Sequence, residues 1–169
     1  MENNEIKKLS PNKEKDPAKP SMKWYAFLTD LGLYMYLVIN ALFAFSTVAG
    51  LTNTQAVSVL EANGFGYLWT IDLVFCILLF AMAAYALVTR FALAKFRAKA
   101  PMLLLILHGA DAALNLAQLL VYQQVLQQLP PEMNMNYSAG TSLWMVIGGV
   151  ALIFINRIYF QKRKEFFKN

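Results

Sequence analysis

A single stretch of the 169-residue sequence places several polar side chains at helical spacing inside an apolar run. Successive members are 3, 4, 3 and 4 residues apart, which puts them on one face of a helix. They are His108, Asp111, Asn115, Gln118 and Tyr122. Polar groups cost free energy inside a membrane, so each is a candidate functional residue. His108 and Asp111 would be the titrating pair of a polar pocket or proton path.

A structural role is the alternative for every member of this face. The same side chains could hydrogen-bond to neighbouring helices and thereby fix how the helices pack. Such bonds contribute about 0.6 kcal/mol on average in a membrane protein and are common. The residue types favour this structural interpretation and leave the pocket or proton path as the alternative.

Four apolar runs must position these residues, at about 26–49, 67–89, 101–122 and 140–160. A helix needs about 20 residues to cross a hydrocarbon core about 30 Å thick. The composition agrees, because 58% of residues are hydrophobic and only 15% are charged. Soluble domains are nearer 45–50% apolar and about 25% charged. The sequence therefore predicts an all-α membrane protein, a bundle of four transmembrane helices.

The basic residues predict the orientation of that bundle. All 15 Lys and Arg precede the first run, lie between the second and third, or lie at the end of the fourth. The other two loops carry only Glu61 and Glu132. The positive-inside rule then places both termini and the middle loop in the cytoplasm, in a multi-pass protein of the cytoplasmic membrane. We divide the chain into a disordered Lys/Pro-rich cytoplasmic tail (1–23), the transmembrane domain (24–161) and a basic cytoplasmic tail (162–169).

Depth along the helices, at about 1.5 Å per residue, predicts two polar clusters. The cluster in the outer half of the membrane comprises Asn40, Asp72, Asn115 and Gln118. The cluster near the cytoplasmic side comprises Asp30, Asn156 and Arg157, with Asp30 and Arg157 as a candidate ion pair.

Small residues predict where helices approach closely. Ala110, Ala113 and Ala117 lie opposite the polar face of the third run, so we expect that helix to be packed on both sides at the centre of the bundle. Gly148 and Gly149 predict close packing of the fourth run rather than a broken helix.

Catalytic and metal-binding motifs are missing from the sequence. It contains no Walker loop, no His-Glu-x-x-His and no nucleophile beside a base. One Cys and one His exclude a zinc site built on cysteines. We therefore expect no enzyme activity, no cofactor and no bound metal.

Partner hypotheses follow from the charges and the apolar surface. Acidic residues dilute the charge of the N-terminal tail, so we expect no nucleic-acid partner. The run Lys162, Arg163 and Lys164 could contact anionic lipid headgroups or could only set the topology. Besides the lipid bilayer, the remaining partner hypotheses are a second copy of the chain or another membrane protein.

Four motifs at the borders of the spans carry a family resemblance. They are Lys23-Trp24-Tyr25-x-Phe27-Leu28, Arg90-Phe91-x-Leu93-x-Lys95-Phe96, Ala100-Pro101 and Asn156-x-x-Tyr159-Phe160-x-Lys162-Arg163-Lys164-x-x-Phe167. This pattern resembles a loose group of small four-helix bacterial integral membrane proteins of unknown function, some with an N-terminal zinc ribbon. The ribbon cysteines are absent here. The resemblance implies a four-helix membrane fold and assigns no activity or site residue.

Two functional hypotheses fit the sequence best. The first is a non-enzymatic accessory or interaction component of the membrane. The alternative is a small dimeric transporter or channel that uses the polar face of the third run, since four spans supply few walls for a pathway. A lipid-modifying enzyme ranks last because no catalytic constellation supports it.

Overall fold

The computed structural model describes residues 21–128 and 139–168, and this part of the chain is all-helical. Its elements are Lys23–Leu51, Thr54–Ala62, Tyr67–Ala94, Ala100–Leu126, Ala139–Gln161 and a 3-10 turn at Lys164–Phe166. The four longer ones, here the first to fourth long helices, are each long and apolar enough to cross a membrane. This confirms four membrane-compatible helices and suggests a multi-pass membrane protein. Residues 1–20 of the expected tail and 129–138 of the last loop lie outside the described residues.

The long helices run alternately in opposite directions. The first packs along the second and the third along the fourth, while the second and third share a smaller contact. We call the end with Lys23, Lys95 and Lys162 the basic end, and the end with residues 52–66 the loop end. Contacts between Trp24 and Asn156, and between Tyr25 and Leu93, show that residues far apart in sequence meet at the basic end.

Most of the buried apolar residues belong to one cluster near the basic end. Its members include Leu33, Ala86, Leu93, Leu104, Leu107, Phe160 and Phe167. A smaller cluster, Phe65, Leu68 and Val125, lies at the loop end. The outer helix surfaces are apolar as well, with Leu42 60% and Met102 64% exposed. A surface of this kind is suited to lipid, since a soluble protein rarely exposes large apolar patches.

The segment after the fourth long helix folds back onto the bundle. Phe167 is 6% exposed, and its ring centroid lies 5.5 Å from that of Phe96 and 5.3 Å from that of Phe160. The sequence predicts a basic tail at 162–169, but burial of this aromatic ring joins the end of that segment to the core.

A π turn at Leu28–Gly32 interrupts the first long helix. The Leu33 N–H donates to the Leu28 carbonyl, five residues back, instead of the Thr29 carbonyl. The Thr29 carbonyl instead accepts a hydrogen bond from Arg90 Nε at 3.0 Å. The irregular turn therefore makes a backbone acceptor available to the second long helix.

The second long helix ends in a Schellman motif with an unusual residue. Phe96 N–H donates to the Leu93 carbonyl at 2.8 Å and Arg97 N–H to the Ala92 carbonyl at 3.0 Å. The φ angle of Phe96 is 50°, a left-handed conformation that glycine normally supplies at this position. Stacking of the Phe96 ring on Tyr25, with centroids 4.9 Å apart, helps to hold it there.

Candidate functional site

The polar face of the third long helix points into the bundle. His108 and Ala112 are buried on this helix, and Asp111, Asn115 and Gln118 are half-buried. At 100° per residue these five positions lie within one arc of the helix. The face that the sequence singles out therefore faces protein rather than the outer surface, as both a pocket and a structural role require.

The alanine face of the same helix is not a packing surface. Ala110, Ala113 and Ala117 are all exposed, so the prediction of packing on both sides is wrong for these residues. The close approach is made on the polar side instead. A β-carbon added at Gly149 would lie 3.0 Å from Ala112 Cβ and 3.5 Å from the His108 carbonyl oxygen.

The two glycines of the fourth long helix therefore differ in their surroundings. Gly149 packs directly against the third long helix, whereas a β-carbon added at Gly148 would meet no atom within 4 Å. The predicted close packing is present at only one of the two positions, because neighbouring helical residues point about 100° apart.

Two tyrosine–aspartate hydrogen bonds connect the third long helix to its neighbours. The Tyr36 hydroxyl of the first long helix donates to Asp111 Oδ1 at 2.8 Å. The Tyr122 hydroxyl of the third long helix donates to Asp72 Oδ1 of the second. Asp72 and Asp111 thus each accept a hydrogen bond from a tyrosine on another helix. With the Gly149 contact, the third long helix has at least one contact with each of the other three. The central position predicted for it depended on packing of both faces, and the exposed alanines do not support that packing.

The asparagines use their amides differently. Asn40 Nδ2 donates to the Tyr36 carbonyl and Asn115 Nδ2 to the Asp111 carbonyl, each four residues back in its own helix. Gln118 is half-buried. Within the described residues, the members of the expected outer cluster therefore do not bond to one another. Asn40 and Asn115 form hydrogen bonds within their own helices, and Asp72 forms one between helices. Sequence spacing alone did not identify tyrosine as the partner of both carboxylates.

His108 is the least satisfied member of the polar face. The side chain is 6% exposed, and its Nε2 atom has no hydrogen-bond partner within residues 21–128 and 139–168. Asp111 bonds to Tyr36, and the described residues show no hydrogen bond between His108 and Asp111. The two groups thus share a face without forming a direct pair.

At the basic end, the described residues do not show the ion pair predicted between Asp30 and Arg157. Both side chains are exposed. Asp30 Oδ1 accepts a hydrogen bond from Thr29 Oγ1 at 3.1 Å. The third expected member, Asn156, is fully buried and accepts a hydrogen bond from Trp24 Nε1 at 2.9 Å.

In the basic run after the fourth long helix, the arginine contacts other parts of the protein and the two lysines are exposed. Arg163 Nη2 and Nε donate to the Ser21 carbonyl at 2.7 and 3.1 Å, and its guanidinium lies 3.7 Å from the Tyr159 ring centroid. Lys162 and Lys164 are exposed. Anionic lipid contact at this run stays a prediction, and Arg163 is already engaged by backbone and ring.

The described residues hold no group of three or more His, Cys, Asp or Glu side chains placed to bind a metal ion. No family model, curated protein or solved structure matches the chain. The resemblance to small four-helix membrane proteins therefore stays a prediction.

Proposed function

We propose that the chain is a non-enzymatic integral membrane protein that acts as an accessory or interaction component of the cytoplasmic membrane. One observation carries the proposal: Asp72 and Asp111 each accept a hydrogen bond from a tyrosine on another helix. Bonds of this kind connect helices where lipid tails provide no competing partner. They account for both carboxylates without invoking chemistry or transport.

The test is proton flux into sealed vesicles that contain the purified chain and a trapped pH-sensitive dye. An accessory protein should give no flux above that of empty vesicles after an acid pulse. Asp111→Asn should behave identically, because its side-chain oxygen can still accept the Tyr36 hydrogen bond. Flux in the unchanged chain would overturn the proposal.

A small dimeric transporter or channel is the second candidate. Two observations favour it: the polar face points inward, and the Nε2 of buried His108 has no hydrogen-bond partner in the part of the chain that the structure describes. In this case the unchanged chain carries proton flux and Asp111→Asn abolishes it. Asp30→Asn is the matched control, since it removes an exposed carboxylate at the basic end. Equal loss with both substitutions would exclude the polar face as the pathway.

We further propose that the basic end lies in the cytoplasm. The gathering of exposed Lys95, Arg97 and Lys99 at one end of the long helices supports this orientation. In a Cys76→Ala background, we expect Asn63→Cys to react with a membrane-impermeant maleimide on intact cells. Lys168→Cys should react only after permeabilisation, and the reverse pattern would overturn the orientation.

A further inference from the structure

A groove lies beside the connection between the second and third long helices at the basic end. Its volume is about 460 Å³. Val88 and Phe91 of the second long helix and Leu103 of the third contribute apolar lining, and Lys95, Arg97 and Lys99 contribute the cationic part. The groove is thus amphipathic, with its charge toward the end of the helices.

The three cations of the groove are exposed and form no side-chain hydrogen bond, ion pair or ring contact with residues 21–128 or 139–168. None of them takes part in an ion pair within the described chain, and the acidic residue of the C-terminal turn, Glu165, is exposed rather than paired with them. Arg90 provides the contrast nearby, because it donates to the Thr29 carbonyl and lies 4.2 Å from the Tyr34 ring centroid. Three exposed cations within five residues make a concentrated positive site.

Phe96, the residue in the left-handed conformation, lies between two of these cations in the sequence. Its ring packs against the rings of Tyr25 and Phe167, at centroid distances of 4.9 and 5.5 Å. The residues on either side, Lys95 and Arg97, are exposed. A left-handed conformation is unfavourable for a residue other than glycine, so the aromatic contacts must hold this turn in place.

The apolar part of the groove has the reach of a lipid chain segment. Val88 lies seven residues before Lys95, which is about 10 Å along the helix axis. Val88 and Phe91 are 56% and 54% exposed, so this part of the groove opens to the outer surface of the bundle. A lipid could therefore enter from the side, with its phosphate toward the loop and a chain along the helix.

We propose that this groove is a binding site for one anionic phospholipid. Lys95, Arg97 and Lys99 contact the phosphate headgroup, and Val88, Phe91 and Leu103 contact the upper part of an acyl chain. The proposal rests on the membrane placement proposed above and is independent of which side the basic end faces. Charge complementarity favours an anionic lipid. A zwitterionic headgroup also carries a positive charge, which the three basic residues would repel.

The experiment measures lipid binding to the full chain in neutral detergent by native mass spectrometry. The probes are dioleoyl phosphatidylglycerol and dioleoyl phosphatidylcholine, which have the same chains. We expect one preferentially bound phosphatidylglycerol. The combined change Lys95→Gln, Arg97→Gln and Lys99→Gln should weaken its binding about a hundredfold, because each of the three cations near a headgroup contributes about fivefold.

A charge-matched control removes three cations from the same end but outside the groove. The combined change Lys23→Gln, Arg157→Gln and Lys168→Gln alters two lysines and one arginine that are all exposed and lie outside the run Lys162, Arg163 and Lys164. It should weaken phosphatidylglycerol binding about threefold or less. Equal weakening by the two triple variants would mean diffuse attraction and would overturn the proposal, as would equal binding of phosphatidylcholine.

The apolar part of the site is tested without any change of charge. Val88→Trp places a large ring in the groove at a position that is exposed, so the helix can accommodate it. It should weaken phosphatidylglycerol binding, and an unchanged affinity would overturn the acyl-chain contact. Inorganic phosphate or sn-glycerol 3-phosphate that displaces the lipid at equal concentration would identify a simple anion site instead.

The lipid experiment and the flux experiment fail independently. Proton flux in vesicles would remove the proposed accessory function but would leave a groove that discriminates between the two lipids. Conversely, a groove without lipid preference would leave the tyrosine–aspartate links and the absence of flux untouched.

Discussion

The basic end and the loop end of the bundle are held together in different ways. At the basic end, a continuous buried cluster joins all four long helices to Phe167, and Trp24, Tyr25 and Arg90 form hydrogen bonds between distant segments. At the loop end, Phe65, Leu68 and Val125 form a small separate cluster, and the Tyr122–Asp72 hydrogen bond links the second and third long helices. The last turns of the first long helix are largely exposed there, with Phe45 62% exposed.

This contrast concerns how packing selects one arrangement of the helices in a membrane-compatible bundle. Lipid tails are as apolar as leucine, so burying a side chain between helices gains little from leaving lipid. Dense contact and satisfied polar groups must therefore provide the preference for one arrangement. We infer that the basic end carries most of the tertiary stability and that the loop end opens more easily.

The largest expected effect comes from making a cavity at each end. Leu104, at the basic end, is 0% exposed and Leu68, at the loop end, is 1% exposed. Leu104→Ala should lower the free energy of unfolding by about 2–5 kcal/mol. Leu68→Ala should cost less than half as much, since the small cluster can collapse around the lost atoms. Titration with sodium dodecyl sulfate, followed by tryptophan fluorescence, measures both. Equal losses would contradict the contrast between the two ends.

The contact between the third and fourth long helices should give the next largest effect. Gly149→Ala places a methyl group 3.0 Å from Ala112 Cβ, so the helices must shift. We expect a loss of about 1–3 kcal/mol in the same titration. Gly148→Ala is the matched control because a β-carbon there meets nothing within 4 Å. It should be neutral or slightly stabilising, and a comparable loss at both positions would refute the close approach at Gly149.

Substitutions at Phe96 test how the turn of the basic end is held. Phe96→Ala removes the contacts of the Phe96 ring with Tyr25 and Phe167 but keeps the unfavourable φ of 50°. Phe96→Gly removes these contacts and also the backbone strain, because glycine adopts a positive φ readily. We therefore expect the glycine variant to be more stable than the alanine variant by about 1 kcal/mol. This inverts the usual order of these residues in helices. Thermal unfolding in detergent measures the difference, and a more stable alanine variant would argue against a left-handed Phe96.

The smallest effects concern single hydrogen bonds between helices. A double-mutant cycle with Tyr36→Phe and Asp111→Ala should give a coupling energy of about 0.6 kcal/mol, with about 1.7 as the upper bound. Trp24→Phe with Asn156→Ala should give a similar value, with the other two tryptophans as fluorescence probes. Much stronger coupling at Trp24 and Asn156 would mean that hydrogen bonding, rather than buried packing, distinguishes the basic end.

Helical spacing was informative about which face of the third long helix is buried, but not about its partners. The 3, 4, 3 and 4 spacing of its polar residues correctly marked the inward face. The alanines were misjudged because small size permits a close approach without requiring one. Tyr36 and Asp111 are 75 residues apart, so their bond depends on how two helices are rotated against each other. Local spacing does not encode that rotation.

The order of residues along the chain determined the four long apolar helices, because helix length and apolar content are local properties of a single run of residues. The clustering of every Lys and Arg in three segments is equally a property of the printed chain. Only the tertiary structure decided that Gly149 rather than Gly148 touches a neighbour, that Phe96 closes a helix, and that Arg163 is bound while Lys99 is exposed. These outcomes depend on contacts between residues distant in sequence, where packing geometry selects one of several locally equivalent choices.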